Sequence, residues 1–149
     1  MDHEIAIPVA LGCDHAGFPL KAAVVAALER AGFAIRDCGT DSLARVDYPD
    51  FAHSVCRMVA AGEARFGVLV CGSGVGMSIA ANRHVGIRCV LAADPTTARL
   101  SRAHNNANVL ALGARLTGEE QAADILAAFM NTDYEGGRHD QRLAKLAPA

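Results

Sequence analysis

The stretch Phe66-Gly67-Val68-Leu69-Val70-Cys71-Gly72-Ser73-Gly74-Val75-Gly76 decides how this chain is read. Its first half is continuously apolar, the pattern of a strand covered on both faces rather than one exposed on alternate residues. Three glycines within the next five positions force a sharp turn, after which Met77 to Asn82 reads as helix. A small, ionisable thiol, Cys71, thus closes a buried strand beside a glycine-rich turn. The backbone N–H groups of such a turn can receive an anion.

Working outward, Val9 to Gly12 reads as a short buried strand, with an earlier start at Ile5 interrupted by Pro8, which cannot donate to a sheet ladder. A helix is expected from about Pro19, with Leu20, Val24, Leu28 and Ala31 on one face and Gly32 at its end. Phe33 to Cys38 follows as a strand, and Gly39 to Asp47 as a long polar connection. Pro49 opens a second helix carrying Ala52, Val55, Cys56 and Val59 on its buried stripe, with Gly62 near its end. Beyond the glycine turn, Ile87 to Ala93 and Val109 to Ala114 read as strands, with Pro95 opening the helix Thr96 to Ala103 between them. Thr117 and Glu120 have capping-box spacing ahead of Ala122, Ile125, Leu126 and Phe129. Five strand–helix alternations predict an α/β fold: a three-layer, Rossmann-like parallel sheet of five strands with helices on both faces. Residues 1–149 are expected to form one domain, with 132–149 a C-terminal tail that crosses to a neighbouring subunit.

Composition narrows the function. The chain has 149 residues, 52% of them hydrophobic, a formal charge of -2, and aromatic content of only 5% with no tryptophan. Neither a basic run nor a base-stacking platform is present, so nucleic acid is not expected as a partner. The five cysteines, at 13, 38, 56, 71 and 89, are odd in number and form no CxxC pair. That spacing fits neither a zinc knuckle nor a disulfide scaffold and suits a reducing cytoplasm. Met1-Asp2-His3-Glu4 lacks the basic start of a signal peptide, and no apolar run reaches membrane-spanning length.

Ligands of open parallel sheets bind beyond the C-terminal strand ends. Asp14-His15 follows the first strand, Cys71 ends the third, and His104 lies between the fourth and fifth; chain order can bring them to one rim but does not fix their distances. GSGVG is not a dinucleotide fingerprint, and no lysine occupies a Walker A position, which argues against NAD and ATP. Cys71 reads either as an inert core thiol or as a sulfur anion supported by the adjoining helix start and turn. The anion could take a proton from a carbon beside a carbonyl. His104 reads as a satisfied helix-end histidine or as an acid/base, with Asn105 a hydrogen-bonding neighbour. Asp14 and His15 either cap the first helix or contact substrate, and Ser73 either bridges Cys71 to a substrate oxygen or merely fits the turn. Arg115, Arg138 and Arg142 read as solvated charges or as forked phosphate donors, the last two being four apart on one helical face. His139 favours solvation or an interface over metal ligation, and Asp14, Cys71 and His104 make no specific metal motif. Taken together these groups point to proton transfer on a small phosphorylated substrate.

The combination Gly12-Cys13-Asp14-His15-Ala16-Gly17, Asp47-Tyr48-Pro49, Cys71 to Gly76, Ile79-Ala80-Ala81-Asn82, Ser101 to Asn108 and Tyr134 to His139 resembles the type B ribose-5-phosphate isomerase family over nearly the whole chain. The resemblance implies reversible conversion of ribose 5-phosphate to ribulose 5-phosphate through a cis-enediolate, with no metal or nicotinamide cofactor. It casts Cys71 as the base between C1 and C2, Ser73 as its hydroxyl helper, and His104 with Asp14 as the ring-opening pair. Gly72, Ser73, Gly74, Val75, Gly76 and Asn105 would stabilise the enediolate. Arg115, Arg138, Arg142 and His15 would hold the phosphate. A second branch of the family places a glutamate at the position of Met77, which cannot act as a base. Family members usually form homodimers with shared sites, and some form tetramers. Rival readings are an isomerase for allose 6-phosphate or a four-carbon sugar phosphate, and a non-enzymatic sugar-phosphate-binding module.

Overall fold

The structure, a computed structural model, describes residues 6–148. The proposed strand start at Ile5 and the acidic leader Met1 to Glu4 lie outside the described residues. The five strands are β1 Val9–Cys13, β2 Ile35–Asp37, β3 Phe66–Cys71, β4 Cys89–Leu91 and β5 Val109–Gly113. The helices are α1 Phe18–Arg30, α2 Tyr48–Ala60, α3 Val75–Ala81, α4 Pro95–Asn105, α5 Glu119–Met130 and α6 Asp140–Ala144, the last entered through a 3-10 turn at Gly137–His139. All sheet pairings are parallel, in the order β2-β1-β3-β5-β4. This is the expected α/β, Rossmann-like arrangement.

The central strands β1, β3 and β5 are buried at every residue, whereas β2 and β4 are short and partly exposed. That position explains their trimming: the expected strands 33–38 and 87–93 lose their ends because edge strands have a ladder partner on one side only. Successive side chains point to opposite faces. Val9, Leu11, Cys13, Phe66, Val68 and Val70 pack against residues of α1, α4 and α5, including Leu28, Ile125 and Phe129. Ala10, Leu69, Cys71, Val109 and Ala111 face Val55 and Cys56 of α2 and Met77 of α3. Small residues on this second face let α2 approach closely; a Cβ on Gly67 would sit 2.6 Å from the Val55 side chain.

Helix ends follow their sequence signals in most cases. Prolines occupy the first turns of α1, α2 and α4, and Gly32 and Gly62 adopt left-handed φ beyond α1 and α2. Asp94 caps α4, accepting the Thr97 N–H and hydroxyl at 2.7 Å each. Those bonds hold its carboxyl below the usual carboxylate range. The expected capping box before α5 is not formed: the N-cap is Gly118 and no side chain caps the helix. Thr117 is buried instead, so its hydroxyl is withdrawn from the helix start. No helix among the described residues is long and apolar enough to cross a membrane.

All five cysteines are free. Burial pushes Cys13 and Cys56 up to about 11, and raises Cys89, whose neighbour Cys56 adds to the effect. Folding therefore keeps protons on these thiols that the unfolded chain releases. Their stabilisation is intact below the ordinary thiol value of 9.0 and is lost progressively up to about 11. Urea unfolding at pH 8, 9.5 and 10.5 should show stability nearly flat below 9.0 and then falling with a slope approaching about 1.4 kcal/mol per pH unit per thiol. Cys56→Ala should flatten that slope.

Candidate active site

Strand order reverses at β1: the chain runs from β1 outward to β2, then returns to place β3 on the other side. A crevice opens at such a switch point beyond the C-terminal strand ends. The turn after β1 is seated directly on the end of β3. Asp14 N–H donates to Val70 O at 3.3 Å, and a Cβ on Gly17 would lie 2.1 Å from the same oxygen, so only glycine fits there. Asp14 Oδ1 accepts the Gly17 N–H at 2.8 Å. The carboxylate thus fixes its own turn, without capping the first helix, and also lines the cleft. His15 Nδ1 accepts the Val46 N–H at 3.2 Å, so a neutral ring carries its proton on Nε2. This bond also ties the polar connection 39–47 to the rim.

Cys71 pairs in register with Gly113, and the loop after β5 continues that pairing. Ala114 N–H donates to Cys71 O at 2.8 Å and Arg115 N–H to Gly72 O at 3.0 Å. The Arg115 guanidinium lies over Gly72, where a Cβ would come within 3.5 Å of it. The result is an open cleft of about 590 Å³ lined by Asp14, His15, Tyr48, Cys71, Ser73 and Arg115 among others. Cys71 is the one cysteine that lines it. Within the turn, Gly74 N–H donates to Cys71 Sγ at 3.2 Å and Val75 N–H to Ser73 Oγ at 3.3 Å. Two of the expected anion donors are therefore already directed at the chain's own sulfur and hydroxyl. Gly74 has φ +80, and a side chain there would also strike Leu91 and the backbone of Leu112.

Chain order left open whether the first and third strand ends and His104 share one rim, and the polarity of the fold separates them within one chain. Cys71, Asp14, His15, Ser73 and Arg115 gather at the C-terminal strand ends. His104 and Asn105 are the last residues of α4, which runs back against the strands. The segment that follows reaches the opposite edge: Asn108 O accepts from Gly67 N–H, at the start of β3. The six residues of β3 separate the two rims by about 16 Å. Arg138 and Arg142 accompany His104 through the tail, whose Glu135 N–H donates to Ala103 O at 3.0 Å. Arg142 Nη1 donates to Arg138 O at 3.2 Å, so the two arginines remain adjacent across the junction of the 3-10 turn and α6. His139 is buried, only 8% exposed, which removes solvation from the two surroundings expected for it and leaves an interface. Its ring stacks on His104 with centroids 4.6 Å apart.

Four cleft residues received no role from the sequence: Ala16, Tyr48, Ile79 and Leu116, the first three lying inside motifs quoted above. Tyr48 presses its ring on Gly76, and Ile79 and Leu116 expose 54% and 71% of their surfaces at the cleft. For Tyr48 a signal existed: Pro49 marks a helix start after a strand, and such starts lie on the ligand-binding rim. For Ile79 and Leu116 no local signal distinguishes a rim residue from core.

A profile of the ribose/galactose isomerase family matches residues 9–146. The chain belongs to that family. Ribose-5-phosphate isomerase B of Escherichia coli strain K12 is 51% identical over 135 residues, 91% of each chain. The structure of the Trypanosoma brucei type B ribose 5-phosphate isomerase superposes with TM-score 0.91 at 52% identity, covering 93% of this chain and 95% of that one. The Thermotoga maritima ribose 5-phosphate isomerase structure does so with TM-score 0.91 at 48% identity, covering 94% and 97%. Membership supports a catalytic, isomerase role for the chain.

The glycine turn can be tested by itself. Gly74→Ala forces a left-handed alanine against packed neighbours and should cost about 2–4 kcal/mol of unfolding free energy, measured by chemical denaturation.

Proposed function

We propose that the chain interconverts ribose 5-phosphate and ribulose 5-phosphate, with each site built from two subunits. The observation that carries this reading is the cleft that places Cys71 beside Asp14, Ser73 and the Arg115 guanidinium, in a chain whose relatives include ribose-5-phosphate isomerase B. Cys71 Sγ removes the C2 proton of the opened sugar and returns it to C1 through a cis-enediolate. Ser73 lies two residues on, exposed, with one rotatable hydroxyl to follow the shifting oxygen charge. Rotation of that hydroxyl also frees the Val75 N–H, so the Gly72 to Gly76 turn can meet the enediolate. A lost donor in a comparable oxyanion site costs roughly 3 kcal/mol.

His104, Asn105, Arg138 and Arg142 complete the site from a partner. In a two-fold dimer one surface contacts its own copy, so the lower rim of one chain can face the upper rim of the other. Val75, Ile79 and Leu116 give the cleft an exposed apolar border of the kind a partner covers. His104 of that partner, with Asp14, opens the sugar ring. Asn105 binds the enediolate, and Arg115, His15, Arg138 and Arg142 share the phosphate. The tail 132–149 then belongs to the shared interface. The proton shuttle itself uses side chains and backbone donors alone, without a metal or nicotinamide cofactor.

The substrate is tested by offering ribose 5-phosphate, allose 6-phosphate and four-carbon aldose phosphates and following ketose formation. Ribose 5-phosphate should give the highest kcat/KM, and turnover of none would defeat the reading. Cys71→Ala should abolish turnover while phosphate binding persists; unchanged turnover would remove the sulfur from its role. Site sharing has its own test. Cys71→Ala and His104→Gln chains, each inactive alone, should regain about a quarter of wild-type activity when refolded together, since half the dimers then carry one intact site. Absence of recovery despite mixed dimers would mean that each site is made within one chain.

A further inference from the structure

Beyond the cleft, the lower rim gathers three side chains around the carboxylate of a fourth. Glu135 Oε2 lies 3.9 Å from His104 Nε2, 3.5 Å from His139 Nε2 and 3.8 Å from Arg138 Nη2. None of these is a well-made hydrogen bond. His139 Nε2 is buried with no hydrogen-bond partner among the described residues, a state that disfavours folding unless a ligand meets the nitrogen. One ligand atom each from His104, Glu135 and His139 can be chosen so that all lie within 4.8 Å of one another.

We propose that His104, Glu135 and His139 bind a divalent transition-metal ion of the zinc class, leaving one coordination position open. Two imidazoles and one carboxylate are the borderline donors that such ions prefer over calcium or magnesium. Bond lengths near 2.0–2.2 Å on a tetrahedral ion put neighbouring donors about 3.4 Å apart. The Glu135–His139 separation of 3.5 Å already matches, and His104 needs to close by less than an ångström on Glu135. The rings stack nearly parallel, 19° between planes, so their in-plane lone pairs meet at one ion only when an imidazole turns out of the stack about its final side-chain bond.

The backbone holds the donors in advance. Glu135 N–H is bonded to Ala103 O at the last turn of α4, and Arg102 Nε donates to Thr132 O at 3.2 Å. Gly136 and Gly137 have φ +67 and +59, a reversal that brings positions 135 and 139 to the same side. The Tyr134 hydroxyl donates to Asp140 Oδ1 at 2.7 Å and clamps the turn from outside. Arg138 is the competitor: its cation claims the same carboxylate, but its side chain is largely exposed and can swing away. Under the function proposed above, an ion here would occupy the ring-opening histidine and so regulate the isomerase.

Metal-free wild-type protein should be titrated with zinc chloride by calorimetry, without substrate, and with cobalt chloride by absorption. One ion per chain is expected, with a cobalt spectrum free of sulfur-to-metal charge transfer. Glu135→Gln, at an exposed position that leaves the fold intact, and His139→Gln should each weaken zinc binding about tenfold or more. Arg138→Ala should bind at least as tightly as wild type. No zinc binding, equal affinity in wild type and Glu135→Gln, a thiolate charge-transfer band, or an Arg138→Ala loss matching that of Glu135→Gln would each overturn the site. Binding without turnover of any sugar phosphate would leave the site standing and the isomerase reading fallen. Turnover without binding would do the reverse.

Discussion

Backbone packs on backbone where the first turn meets the end of β3, and the upper rim depends on that approach. Gly17 leaves no space for a methyl group against Val70 O, and Asp14 spends one carboxylate oxygen holding the turn closed. The cost of fixing this loop is repaid by position, since Asp14, His15 and Cys71 are then presented by adjacent parallel strands. The same economy recurs at β5, whose loop hydrogen-bonds to the residues around Cys71 and lays Arg115 across Gly72. Small residues let polar groups crowd together here without help from large side chains.

Strand polarity has a second consequence. Helices of a parallel sheet run back against the strands, so a residue at a helix start and one at a helix end occupy opposite rims. Tyr48 and Val75 stand at starts, His104 and Asn105 at an end. Under the proposed function, a proton shuttle using Cys71 and His104 takes the second residue from another chain, which the apolar border of the cleft could receive. The tail is anchored to its own α4, Glu135 to Ala103 and Thr132 to Arg102, which carries Arg138 and His139 with His104 rather than with Cys71.

Much of the fold was legible because burial on both faces leaves an unmistakable apolar signature, and β3 was bounded correctly at both ends. Edge strands were overextended, because Phe33 and Ile87 are apolar for packing while their backbones lie outside the ladder. The capping box failed because Thr117 was needed in the interior. Asp14, His15, Cys71 and Ser73 could be placed near strand ends and the glycine turn, and the structure lines one cleft with them and Arg115. Tyr48 was present in a recognised motif without a role assigned to it.

The amino-acid order alone fixed the alternation of strands and helices, the thiol at a strand end and the absence of dinucleotide spacing, since each is a local matter of side-chain period and turn chemistry. Only the folded chain decided that His104 lies a strand's length from Cys71, and that Glu135 and His139 gather around it. Those relations depend on which way a helix runs across a sheet and on where a tail folds back, and neither is written in the spacing of neighbouring residues.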